Sequence, residues 1–165
     1  MSARPLIDSL DFARNGKEIS AEIPFAGMPR LLEELDSPDG VLHYTVRGGE
    51  DKLGVSFLDV SMTGDCQLRC QRCLSALEYP IRISTRLLLR DQAELDALDD
   101  DEEEFDSILA DARLDVLNLL EEEILLSLPI APRHELGTCQ PTGVEDRHGA
   151  EESPFAVLGK LKRGV

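Results

Sequence analysis

The sequence predicts an α+β domain: an antiparallel β-sheet with one main helix from the C-terminal half of the chain packed on it. Between residues 41 and 90, apolar and polar side chains alternate with the period of two expected for strands with one wet face. Between residues 115 and 128, leucine and isoleucine recur at helical spacing. Together these two patterns predict both layers of the fold.

The composition limits the size of the domain and the nature of its core. The chain has 165 residues, the length of one domain or of one domain with tails. Hydrophobic residues make up 42% of it, but Trp is absent and aromatic residues make up only 4%, so the core must consist of Leu, Ile and Val. We predict a single domain over residues 1–137, followed by a flexible linker and a short basic amphipathic tail over residues 138–165.

The N-terminal half contains the predicted strands. Residues 18–23 suit a strand, and residues 30–35 suit one or two helical turns. Three longer strands are predicted over residues 41–46, 53–62 and 77–89, with turns at residues 48–51 and 63–65.

An acidic run separates these strands from the helix. Residues 91–106 contain ten acids and no base. The acids are Asp91, Glu94, Asp96, Asp99, Asp100, Asp101, Glu102, Glu103, Glu104 and Asp106. Such a run predicts a solvated, poorly ordered acidic loop, and the alternative is a surface that attracts a basic protein.

The main helix is predicted to begin after Asp115, as its N-cap, and to end before Pro129. Its apolar stripe consists of Leu117, Leu120, Ile124 and Leu128. Residues 121–123 are three consecutive glutamates, which we expect to be solvated or in local ion pairs, with Glu121 near the edge of the stripe.

The charge excludes a general nucleic-acid binder. The formal net charge is −16, from 33 acidic and 17 basic residues, and such a field repels phosphate and attracts basic proteins. No stretch approaches the length of about 20 apolar residues that a membrane helix needs. The N-terminus is too acidic for a signal peptide, so we expect a cytoplasmic protein with reduced thiols.

Cysteines provide the strongest chemical signal. Cys70 and Cys73 have the spacing of a zinc knuckle, and His134 and Cys139 form a second possible pair, which predicts a Cys3His zinc site. Cys66 is an alternative to His134 as the fourth ligand. Redox chemistry and inert thiols stay open, although a redox CxxC normally begins a helix, whereas this pair lies between two predicted strands.

A local basic stripe interrupts the acidity. Residues 66–90 contain five arginines and only one acid, Glu78. We predict candidate RNA contacts at Arg69, Arg72, Arg82 and Arg86. The alternative is that these arginines balance the acidic run within the chain. Phosphate-loop, dinucleotide, HExxH and GxSxG motifs are all absent, so the residues do not predict an enzyme.

Three blocks together resemble a known family. They are residues 66–73 followed by a strand, residues 114–129 with His134 and Cys139, and residues 153–162. In order and spacing, over about residues 53–162, they are similar to the bacterial YceD family, the large ribosomal RNA subunit accumulation proteins.

The resemblance implies a non-enzymatic role in ribosome biogenesis, in the synthesis, processing or stability of large-subunit (23S) ribosomal RNA. For such a factor, we expect precursor RNA as a partner, contacted directly by the arginine stripe or through a basic ribosomal protein held on the acidic surface. Some relatives carry extra cysteines after the helix, whereas this chain has only His134 and Cys139 there. The alternative function is a zinc-binding or redox-active CxxC protein that acts on an RNA or protein substrate.

Overall fold

A computed structural model of the protein describes residues 4–98 and 104–139. In chain order its elements are β1 (Leu6–Ile7), α1 (Ser9–Arg14), β2 (Glu18–Pro24), a 3-10 turn (Phe25–Gly27), α2 (Pro29–Leu32), β3 (Val41–Glu50), β4 (Ser56–Arg69), β5 (Ala76–Arg90), α3 (Gln92–Asp96), β6 (Asp106–Leu109), β7 (Leu114–Asp115) and α4 (Val116–Ser127). The α+β prediction is confirmed. Within the described residues, no helix is long and apolar enough to cross a bilayer.

Five strands form the main sheet, in the order β2-β3-β4-β5-β6. The first four strands are antiparallel to their neighbours, and the short β6 pairs with β5 in parallel. Strands β1 and β7 form a separate antiparallel pair that ties the N-terminal segment to the start of α4. The parallel edge strand was not expected from the sequence.

The turn predicted at residues 63–65 is wrong, because β4 continues through it. Thr63 pairs with Arg82, and Asp65 pairs with Pro80 on β5. Gly64 is needed here for a close approach, since an added Cβ would lie 2.8 Å from the Val41 carbonyl oxygen. The extended β4 and β5 therefore carry the cysteine knuckle at their common end.

Helix α4 closes the core on one face of the sheet. Asp115 caps the helix as expected, since its side chain accepts a hydrogen bond from the Asn118 N–H at 3.2 Å. Leu120 and Ile124 are fully buried and belong to the same apolar cluster as Leu58 and Leu87 of the central strands. The predicted stripe therefore faces the core.

Glu121 contradicts the expectation of solvation. It is 1% exposed, and its carboxylate accepts hydrogen bonds from the backbone N–H groups of Arg30 at 2.9 Å and Leu31 at 3.3 Å. Helix α2 begins at Pro29, and its N-cap residue, Met28, has no side chain that could accept these bonds. A carboxylate from α4 therefore caps α2, and this contact fixes the two helices against each other.

We expect Glu121→Ala to destabilise the fold by about 2–4 kcal/mol, since two backbone donors would lose a charged acceptor in a dry environment. Chemical denaturation measures this effect. The adjacent Glu122 is exposed, so Glu122→Ala is the matched control and should change the unfolding free energy by less than about 0.5 kcal/mol. Equal effects of the two substitutions would contradict the capping role of Glu121.

The acidic run is more ordered at its ends than predicted. Asp91 and Glu94 form a capping box that starts α3, and Asp106 begins β6. The expectation of a continuous loop over residues 91–106 is therefore wrong at both ends, because the first acids cap a helix and the last one begins a strand. Residues 99–103 of the run, and residues 140–165 of the predicted linker and basic tail, lie outside the described residues.

Candidate metal centre

The knuckle is a tight turn between β4 and β5. The Cys70 N–H donates to the Ser75 carbonyl and the Leu74 N–H donates to the Cys70 carbonyl, both at 2.9 Å. Leu74 adopts a φ of 61°, in the left-handed region that glycine usually occupies and that costs another residue about 1–2 kcal/mol. The turn thus holds Cys70 and Cys73 on one side of the backbone.

The segment after α4 passes beside this turn. The Gln71 N–H donates to the Pro132 carbonyl at 2.8 Å, and His134 Nε2 lies 3.0 Å from the Ala76 carbonyl oxygen. These two contacts bring His134 and Cys139 to the knuckle, although they are more than 60 residues away along the chain.

Four ligand atoms converge at this point. One ligand atom from each of Cys70, Cys73, His134 and Cys139 lies within 4.8 Å of the other three. The Cys70 and Cys139 sulfurs are 3.6 Å apart, and the Cys73 sulfur is 3.4 Å from His134 Nδ1. Tetrahedral zinc with Zn–S of about 2.3 Å places two sulfurs about 3.8 Å apart, so the donor set and these spacings fit a zinc ion.

The hydrogen bond of His134 suits a metal ligand. When Nε2–H donates to the Ala76 carbonyl, Nδ1 keeps its lone pair, and Nδ1 is the nitrogen that faces Cys73. A backbone carbonyl on the far nitrogen is the usual way in which proteins fix the tautomer and orientation of a metal-binding histidine.

The surroundings of the sulfurs favour thiolates at the knuckle. Burial raises the pKa of Cys70, but the backbone groups of Cys73, His134 and Arg72, with the Cys139 side chain, outweigh burial and lower this pKa to about 5. The Ser75 hydroxyl, 2.9 Å from the Cys73 sulfur, lowers the pKa of that thiol as well. Ser75 was not singled out from the sequence, where only its place two residues after Cys73 could have marked it.

Arg72 contacts the cluster at Cys139. Its side chain donates a hydrogen bond to Cys139, and this bond raises the pKa of the guanidinium. Three thiolates around a divalent metal leave one net negative charge, so the guanidinium can offset that charge.

Cys66 is not part of the group. It is fully buried in the apolar core, and burial raises the pKa of its thiol to about 11. On β4 it points inward with Met62 and Leu68. The structure therefore places Cys66 outside the cluster and His134 within it.

In metal-free protein, we expect Cys70 to titrate near pH 5, in a thiolate absorbance titration at 240 nm. Because its folded-state pKa lies below the ordinary thiol value, the folded state favours the thiolate, and this preference is lost as the pH falls through about 5. Zinc affinity should begin to fall at higher pH, because the pKa values of Cys139 and His134 are raised, and it should fall further through the range in which Cys70 titrates. Cys70→Ser should remove one thiolate from the titration and leave that of Cys73, so an absorbance change near pH 5 as large as that of the wild type would contradict the assignment.

The arginines predicted to contact RNA are mostly engaged within the chain. Arg69 lies 2.9 Å from Asp36, and Arg82 lies 3.3 Å from Asp65. Arg86 donates two hydrogen bonds to Asp59, and its guanidinium lies 3.8 Å from the centre of the Phe57 ring. Their partners are acids of the sheet or of the loop before it, instead of the acidic run that the sequence suggested. Arg72 is the member of the predicted set that lies at the cluster of Cys70, Cys73, His134 and Cys139.

Comparison with known proteins decides the family. The family model described as large ribosomal RNA subunit accumulation protein YceD matches residues 58–162, well over half of the chain. The chain belongs to the YceD family. The match begins within β4 and includes the knuckle, α4 and both residues of the second ligand pair.

A curated relative supports this membership. It is a protein of Haemophilus influenzae named large ribosomal RNA subunit accumulation protein YceD, 29% identical over 108 residues. The matched region is 60% of this chain and 61% of the relative, so the chain spans less than two thirds of that relative's length. No solved structure matches this chain.

Proposed function

We propose that this protein is a non-enzymatic cytoplasmic factor that supports the accumulation of large-subunit (23S) ribosomal RNA, through its processing or its stability. Membership of the YceD family is the observation that carries the proposal. It contacts precursor RNA directly, or it binds a basic ribosomal protein that is attracted by the net charge of −16.

We further propose that Cys70, Cys73, His134 and Cys139 bind one structural zinc ion. A site with four protein ligands is closed, whereas a catalytic zinc keeps a position for water or substrate. The ion would join the knuckle to the segment after α4, and so stabilise a surface instead of performing a reaction. This arrangement supports a binding role over an enzymatic one.

A redox-active CxxC pair is the alternative, and the low pKa of Cys70 is the observation that favours it. However, the pair lies between two strands, and a third sulfur and an imidazole lie in the same cluster. A purified protein that holds zinc and shows no disulfide reductase activity would exclude this alternative.

The function is tested in cells that lack this gene. The ratio of large- to small-subunit ribosomal RNA should fall in these cells and recover when the wild-type chain is restored. Affinity capture of the tagged chain, with and without nuclease, then separates the partners, because a ribosomal protein that remains after nuclease treatment binds without RNA. An unchanged ratio of the two RNAs in the deletion cells would refute the proposed function.

A further inference from the structure

Strand β2 (Glu18–Pro24) forms one edge of the main sheet, and no strand of the described residues pairs with its outer side. It pairs with β3 in one unbroken register over all seven of its residues, so the edge is regular and has no bulge. An edge of this kind presents a row of free backbone donors and acceptors, which proteins ordinarily pair, cover or interrupt.

The hydrogen bonds at the two ends of β2 show which of its backbone groups point outward. The Gly48 N–H donates to the Lys17 carbonyl at 2.8 Å, and the Phe25 N–H donates to the Gly40 carbonyl at 3.1 Å. Alternate residues of an antiparallel strand bond to the same neighbour, so the odd-numbered residues of β2 bond to β3. The even-numbered residues therefore direct their N–H groups away from the sheet. These outward donors belong to Glu18, Ser20 and Glu22.

The acidic side chains of β2 already have partners on β3. Arg47 lies 2.6 Å from the Glu18 carboxylate, and His43 lies 3.1 Å from the Glu22 carboxylate. Neither acid therefore requires a charged group from an incoming strand. Backbone pairing and apolar contact decide which strand fits this edge.

The other side chains of β2 form an apolar row on the core-facing side of the sheet. Ile19 and Ile23 lie opposite Val46 and Leu42 of β3, but they are only half-buried, and Ala21 between them is exposed. The row is open because the sheet ends at β2. An incoming strand with apolar side chains at the facing positions would bury it.

We propose that β2 pairs with β2 of a second copy of this chain, antiparallel about a two-fold axis at Ala21, so that two sheets become one. In this register Ile19 of each copy lies opposite Ile23 of the other, and the two Ala21 residues face each other. The strand thus supplies the apolar row that its own edge lacks. Both β2 edges are used in this contact, so the assembly closes as a dimer.

The same register satisfies the outward backbone groups. Ser20 of each copy lies opposite Glu22 of the other, and the two residues exchange both of their hydrogen bonds. Glu18 lies opposite Pro24, which has no N–H but has a carbonyl to accept the Glu18 N–H. Every outward donor of β2 therefore has an acceptor in the second copy.

Charge excludes the neighbouring registers. Pairing keeps outward groups opposite each other only when the register moves by two residues. A move in one direction places Glu18 opposite Glu22, and a move in the other direction places the two Glu22 residues opposite each other. Like charges directly opposite each other destabilise a strand pair. The register centred on Ala21 pairs the whole strand and keeps the acids apart.

Ser20→Pro tests the backbone pairing, because it removes an outward N–H and leaves the bonds between β2 and β3 in place. Sedimentation equilibrium of the full chain measures the dissociation constant of the dimer, which we expect to rise at least about ten-fold. Ser20→Ala is the matched control. Both substitutions lose the 2.7 Å hydrogen bond between Ser20 and Thr45, but alanine keeps the N–H and should dimerise like the wild type.

The response to salt distinguishes a second copy from a basic partner. Two chains of net charge −16 repel each other, and salt screens this repulsion, so the dissociation constant of the dimer should fall as salt is raised. A basic protein bound to this acidic chain would be released by the same change.

Ala21→Cys tests the register. Facing residues of a non-hydrogen-bonded pair have Cα atoms about 4.5 Å apart, which is within the range of a disulfide. The two introduced thiols should therefore form a disulfide across the dimer when oxidised glutathione accepts their electrons, and peptide mass spectrometry identifies the bond. Leu53→Cys is the control, because Leu53 is 89% exposed in a turn outside β2, and it should not cross-link at the same protein concentration.

Three outcomes would overturn the proposal. They are a wild type that is monomeric at every concentration, a dimer that Ser20→Pro leaves intact, and a monomer that binds a basic protein at the β2 edge. If Ser20→Pro does not fold, the cross-link decides, because an Ala21→Cys variant that forms no disulfide between copies would also refute the pairing.

Discussion

Replacing Cys70 by serine should abolish stoichiometric zinc binding. The wild type is expected to hold about one zinc per chain, and the variant less than about 0.2, because a neutral hydroxyl is a poor replacement for a thiolate ligand. Since metal binding is coupled to folding, the melting temperature should fall by on the order of 10 °C. Elemental analysis of purified protein and thermal denaturation measure the two effects.

Cys66→Ala is the matched control for this prediction. Cys66 is a cysteine of the same strand end, but it is buried among apolar side chains outside the cluster. Its replacement should leave the zinc content unchanged and cost only packing. A wild type with less than about 0.2 metal per chain, or a Cys70→Ser variant with full zinc content, would refute the site.

Leu120→Asp should be the most destabilising single substitution on α4. Leu120 is fully buried between the helix and the sheet. The change removes a leucine side chain, which costs about 2–5 kcal/mol, and buries a carboxylate without a partner. We expect a loss of more than about 5 kcal/mol, or failure to fold, measured by chemical denaturation and by the yield of soluble protein.

Leu126→Asp on the same helix is the control. Leu126 is 77% exposed, so its replacement should change the unfolding free energy by less than about 0.5 kcal/mol. A Leu120→Asp variant as stable as Leu126→Asp would show that the helix does not bury the predicted stripe.

Local spacing predicts the two pairs of candidate ligands. It does not decide between Cys66 and His134 as the fourth ligand, because the predicted strand ends at residue 62, before Cys66. The supposed turn at residues 63–65 broke the alternation of the strand. In the continuous β4, Cys66 shares the inward face with Met62 and Leu68 and is thereby removed from the site. The alternation of buried and exposed residues along β4 was therefore the signal that could have excluded Cys66. Gly64 interrupted this pattern, because a glycine at that place is typical of a turn.

The arginines show a different limit. Their count along the chain indicated a basic stripe, but ion pairing depends on which acid lies across the sheet. The register places Asp59 opposite Arg86, and this ion pair neutralises a side chain that the sequence predicts to contact RNA.

Sequence alone determined the fold class, the presence of the long strands, the N-cap and core stripe of α4, and the two pairs of candidate ligands, because each depends on residues close together in the chain. Tertiary structure decided which other residues they contact. It brought His134 and Cys139 to the knuckle, moved Cys66 into the core, and buried Glu121 on the backbone of α2. These contacts join segments tens of residues apart, and their energies come from packing and desolvation, which no local pattern records.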